Sequence, residues 1–232
     1  LDALFSRCGE AGYHTAVVGK QHFAVTDIER GYDHEEIIDC HGPGGRISAE
    51  TARNSYHRFL AENGFSSGRE LCEPVDRFTV RWTADTRFHV DDFVGERGNA
   101  WLREQRPADC PWYCCISFPG PHTPIDGLGL PQEDLYSAGE IDLPVTSFED
   151  LSQKPPHYRS EHGNKGPVDG SITEEEIRRV RLAYYANVSL IDEKIGQIVQ
   201  TLKDEGLYDS TMIIFTSDHG DFLGAFGRVG NA

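Results

Sequence analysis

The sequence is poor in several things, and each shortage narrows the reading. It has one methionine, Met212, so residue 1 is not an initiator. It has no apolar run near the ~20 residues that span a bilayer, and no secretory leader pattern. Its six cysteines include no CxxC pair, so zinc-ribbon spacing is absent. Basic residues are scarce: 22 Lys and Arg against 38 Asp and Glu give a net charge of −16. That balance argues against nucleic acid as a partner, because phosphate binding rests on Lys and Arg. A local cationic pocket can still oppose the global charge, so a small anionic substrate remains open. No internal repeat and no low-complexity segment is visible.

What is present is globular. Hydrophobic residues make up 38% and charged residues 26% of 232, enough for a sizeable core in one large domain or two small ones. Leu1, Leu4, Phe5 and Cys8 lie at helical spacing with Gly12 as a stop, and "YHTAVVG" (13–19) reads as a strand. "CHGPGGR" (40–46) reads as a loop and "SAETARNSYHRFLAENG" (48–64) as a helix. Val90, Phe93, Val94, Arg97 and Trp101 form a helical stripe over 90–105, closed by Pro107. "PWYCCISF" (111–118) is an apolar run expected of a strand buried on both faces, with Cys114 and Cys115 as small apolar residues.

Residues 119–170 are rich in Pro and Gly and show no periodicity, so they are expected to be a loop region shaping a substrate pocket. Thr173 and Glu176 make a capping box before a helix with Ile177, Val180, Tyr184, Val188, Ile191, Ile195, Ile198 and Leu202 on one stripe, ended by Gly206. "STMIIFTS" (210–217) reads as another buried strand. Helices alternating with short apolar strands imply an α/β fold, a mostly parallel sheet sandwiched between helices, in a single domain over 1–232.

In such sheets ligands bind beyond the carboxyl ends of the strands. The three expected strands are followed by Gly19-Lys20-Gln21-His22, by Pro121-His122-Thr123-Pro124, and by Asp218-His219-Gly220-Asp221. Each delivers a histidine to one edge. Asp218 offers oxygen and His219 nitrogen to a divalent cation. Lys20 is a point charge suited to a tetrahedral oxyanion, and His22 and His122 can hydrogen-bond it or protonate a leaving oxygen. Asp221 reads as a turn residue, not a ligand. No serine or cysteine sits in a recognisable nucleophile motif.

These stretches resemble a known family. "AGYHTAVVGKQHF" (11–23) is similar to the sulfatase signature G-Y-x-T-x-x-x-G-K-W-H, with Gln21 at the tryptophan. "ISFPGPHTPID" resembles the segment ending P-H-x-P, and "IIFTSDHGDFLGAFG" (213–227) the segment T-S-D-[HN]-G-x-x-L-G. The resemblance places the chain in the sulfatase branch of the alkaline phosphatase superfamily and implies an alkaline-phosphatase-like fold. It implies Asp218 and His219 as metal ligands, with Ca²⁺ the favoured ion and Mn²⁺ an alternative. Lys20 would contact sulfate, His22 would lie beside the nucleophile, and His122 would contact sulfate or assist the leaving group. The nucleophile implied is a formylglycine made from Cys or Ser in a C/S-x-P-x-R segment. That segment and the paired aspartates of an N-terminal strand are expected upstream of this chain, which reads as truncated at both ends. Asn231 stands where family members often carry a lysine. The function implied is a sulfuric ester hydrolase; the alternatives are a phosphonate monoester or phosphodiester hydrolase, or an inactive anion- or metal-binding homologue. A cytoplasmic location is favoured over a periplasmic or secreted one, and no oligomeric state is indicated.

Overall fold

The structure is a computed structural model and describes residues 4–21, 31–38, 54–147, 149–154 and 171–230. Two compact units are built from interleaved stretches of chain. One comprises Leu1–Leu71, Ala84–Gly120 and Leu190–Thr211; the other comprises Cys72–Thr83, Pro121–Ser189 and Met212–Ala232.

The first unit carries a parallel three-stranded sheet in the order β2 (His34–Ile38), β1 (His14–Lys20), β5 (Trp112–Ser117). β1 is the middle strand, and Thr15 to Gly19 are buried, as a strand covered on both faces must be. β2 was not legible as a strand, because its His-Glu-Glu start masks the apolar Ile37 and Ile38. The Arg97 Nε donates to Glu36 Oε1 at 2.6 Å, which offsets one of those charges. β5 departs from expectation in burial: all six residues are half-buried. Among the described residues it pairs on one side only, so it is an edge of this sheet. Burial pushes the Cys114 thiol far above its ordinary range, and the Cys115 thiol up as well. Both are free and behave as small apolar groups.

Helix α1 (Leu4–Glu10) precedes β1, and α2 (Ser55–Glu62) occupies the second half of the helix expected over 48–64; residues 48–53 and the loop 40–46 lie outside the described residues. α3 (Val90–Ala100) continues into a π-helical turn, Trp101–Gln105, as the stripe predicts. Ala16 and Val18 of β1 form a core with Trp101, Leu102 and Leu202, flanked by Trp112, Cys114, Ile198 and Leu207. Trp101 is completely buried and meets Trp112 edge-on at 5.6 Å. The Lys194 Nζ lies 2.6 Å from Asp92 and 3.0 Å from Glu96, all in this unit.

The second unit has a smaller mixed sheet. β3 (Cys72–Pro74) runs antiparallel to β4 (Thr79–Trp82), which runs parallel to β6 (Ile125–Leu128). β6 corrects the expectation of a loop over 119–170: all four of its residues are buried, and short 3₁₀ turns follow at Pro131–Leu135, Ala138–Glu140 and Glu149–Gln153. Its glycine obscured it. Yet Gly127 is required there, because a Cβ would stand 1.9 Å from the Ala183 carbonyl oxygen. Residues 155–170 lie outside the described residues.

The long helix α4 (Glu174–Asp204) begins and ends as its sequence dictates. The Thr173 N–H donates to Glu176 Oε2 at 2.8 Å, and the Glu176 N–H donates to Thr173 Oγ1 at 3.2 Å: a reciprocal capping box. At the other end Gly206 takes φ +68°; its N–H donates to the Lys203 carbonyl and the Leu207 N–H to the Leu202 carbonyl. The buried stripe differs in the middle. Val188 is exposed, while Ala183, Ala186, Asn187 and Leu190 are buried. The small residues at 183 and 186 are what a close strand crossing needs.

The strand expected over 210–217 does not form. Residues 211–217 are irregular, and Met212, Ile213, Ile214 and Phe215 are 85, 49, 72 and 82% exposed. A strand is stabilised by a ladder to a neighbour, and among the described residues this stretch has none.

Candidate active site

Two stretches of the second unit build the candidate site. His122 stands three residues before the wholly buried β6, and its Nδ1 lies 2.8 Å from the Thr123 carbonyl oxygen. A carbonyl only accepts, so Nδ1 carries the proton and Nε2 the lone pair. His219 is set in the same way: its Nδ1 donates to the Gly220 carbonyl at 2.9 Å. Metal-binding and proton-transferring histidines are commonly oriented by such a bond. The two imidazoles meet edge-on, with ring centres 6.2 Å apart and planes at 71°.

Asp218 completes the cluster. Its Oδ1 accepts the His219 N–H at 2.9 Å, and its Oδ2 lies 3.8 Å from His219 Nε2. The side chain of Asp218 is 76% exposed and that of His219 32%. The Ser217 Oγ donates to the His219 carbonyl at 2.6 Å and tightens the turn. Asp221 is engaged by backbone groups further along the chain. Its Oδ1 accepts from the Leu223 and Gly230 N–H groups, as befits a turn residue. Burial, with the Asp221 charge second, pushes the Tyr184 hydroxyl above its ordinary value.

The pair Asp218–His219 supplies one oxygen and one nitrogen donor with the right tautomer for a divalent ion. It does not make a full shell: among the described residues no group of three or more His, Cys, Asp or Glu could hold a metal. Lys20 is the last residue of β1 in the first unit and is half-buried. His22 lies outside the described residues. The structure thus brings His122, Asp218 and His219 together within one unit. The expectation that three strand ends deliver the histidines is corrected for the third, since Asp218 follows an irregular stretch.

The comparisons with known proteins agree with these motifs. The family model Sulfatase matches residues 2–230. The chain belongs to the sulfatase family. Among curated relatives, the choline-sulfatase of Rhizobium meliloti (strain 1021) is 30% identical over 94% of this chain and 42% of that protein. The arylsulfatase of Clostridium perfringens (strain 13 / Type A) is 26% identical over 96% of this chain and 47% of that protein. The chain therefore spans less than half the length of these relatives. The crystal structure of the phosphonate monoester hydrolase of Agrobacterium radiobacter superposes with a TM-score of 0.74 at 21% identity, covering 99% of this chain and 49% of that one. At that identity the likeness shows the fold, which is alkaline-phosphatase-like, as the motifs of this sulfatase-family chain implied.

Proposed function

We propose that the full-length protein is a sulfuric ester hydrolase acting on a small anionic sulfate ester. The observation that carries the reading is the His122–His219 pair beside the exposed Asp218 carboxylate, in a chain of the sulfatase family. Asp218 and His219 would hold a divalent ion, Ca²⁺ first and Mn²⁺ second, with further ligands beyond this pair. When bound, that ion would make the sulfuryl centre more electrophilic and offset charge on its oxygens. The nucleophile of the reading is a formylglycine derived from Cys or Ser upstream of residue 1.

The chain's own residues have these parts. The Lys20 ammonium would oppose the oxyanion charge as a point cation. His22, by resemblance, would stand beside the nucleophile. His122, with Nδ1–H committed to the Thr123 carbonyl, would act as the imidazolium, whose Nε2–H would hold a sulfate oxygen or pass its proton to the leaving oxygen. Net charge −16 leaves nucleic acid outside the reading. No described helix is long and apolar enough to cross a membrane.

A second reading, hydrolysis of phosphonate monoesters, draws on the structural likeness above and on a second phosphonate monoester hydrolase, from Silicibacter pomeroyi, with a TM-score of 0.70 at 18% identity. The test is kcat/KM of full-length protein for an aryl sulfate and a matched phosphonate monoester. The first reading expects the sulfate to be cleaved faster. A clear preference for the phosphonate would replace it with the second, and turnover of neither ester would support a non-catalytic homologue.

A further inference from the structure

The residues on either side of Gly220 are held in opposite ways. Before it, the hydrogen bonds of Thr216 to His219 stay within the turn itself, and residues 212–219 are exposed. After it, residues 221–230 fold into a closed, buried loop. The Phe222 N–H donates to the Gly230 carbonyl at 3.0 Å and the Gly224 N–H to the Arg228 carbonyl at 2.7 Å. Phe222, Gly227, Arg228 and Val229 are buried, and Leu223 packs on the core of the unit. Leu223 and Phe226 have φ of 47° and 56°, the positive-φ non-glycine residues among those described. Backbone in that region is unfavourable for a residue with a side chain and persists only where the surroundings over-determine it.

Asp221 stands at the junction. One carboxylate oxygen accepts the Leu223 N–H at 2.9 Å and the Gly230 N–H at 3.1 Å, tying the first residue of the loop to its last. We propose that Asp221 is a positioning residue for the Asp218–His219 pair, the anchor by which a rigid loop fixes the backbone from which the two ligands project. The proposal rests on the reading of that pair as a divalent-ion site. It requires only that Oδ1 be an acceptor, so it separates the role of the oxygen from that of the charge.

The test is calorimetric titration of full-length protein with Mn²⁺ and with Ca²⁺, in three variants, each with its thermal midpoint. D221N keeps the acceptor and is expected to bind within about threefold of the parent, because the two N–H groups stay satisfied. D221A removes it and is expected to weaken ion binding by about 10–100-fold, the range for losing a group that orients metal ligands, here acting through the backbone and not through a hydrogen bond to either ligand. D218A is expected to abolish binding. If D221A does not fold, D221S, whose hydroxyl is too short to bridge both N–H groups, takes its place with the same expectation. Ion affinity unchanged in D221A while D218A loses it would overturn the positioning role and leave the ion site standing. Equal losses in D221N and D221A would also overturn it, since charge would then be the cause. Unchanged affinity in D218A would overturn the ion site itself.

Discussion

Two stretches of this chain look alike as sequence and differ as structure. Trp112–Ser117 and Met212–Phe215 are both short, uncharged and apolar, each followed within a few residues by a site histidine. The first pairs in register with β1 along its whole length; the second has no ladder among the described residues and stands exposed. Local propensity is the same in kind. The difference is the partner: β5 lies against a strand with one face, through Ala16 and Val18, already covered by Trp101, Leu102 and Leu202. Strand character in a short apolar run is thus a demand for a neighbour, met in one place and not in the other.

That contrast can be broken from the paired side or sharpened from the unpaired one. The largest effect is expected of Trp101→Ala, which empties the core behind β1 and should cost about 3–5 kcal/mol in urea unfolding. Gly19→Ala comes next. Gly19 has φ +107° and faces Ser117 of β5, where a Cβ would sit 2.0 Å from the carbonyl oxygen. The strand must move or separate, at about 3 kcal/mol, with loss of amide protection at Ile116 and Ser117. The smallest effect is expected of Ile214→Ser. An exposed, unpaired side chain should change the stability of the 232-residue chain by no more than about 0.5 kcal/mol in the same assay. A cost of several kcal/mol there would mean that 211–217 is paired after all.

The legible parts of the fold are those settled by neighbours in sequence. The Thr173–Glu176 box and the Gly206 stop each involve residues within five positions, and both ends of α4 follow from them. The hidden parts depend on distant partners. β6 needed Gly127 to meet Ala183, and β2 needed Arg97 to meet Glu36. The same divide runs through the site. His122, Asp218 and His219 were nominated as candidates by motifs of a few residues, and the structure sets them side by side. The second partner of Asp221 was not, because Gly230 lies nine residues on, with nothing between them to mark the closure. Lys20 and His22 were read from one motif; the structure describes the first and not the second.

Asp218 is the residue on which the proposed sulfate-ester chemistry most depends. In full-length protein, the kcat/KM of Asp218→Ala for an aryl sulfate, read beside its thermal midpoint, decides it. The expected result is a fall of about 10²–10³-fold or more with the midpoint little changed, because the exposed side chain has little packing to lose and the proposed ion-ligand role would go with it. Activity within about tenfold of the parent at saturating Ca²⁺ or Mn²⁺ would contradict it, as a ligand to a required ion cannot be lost so cheaply.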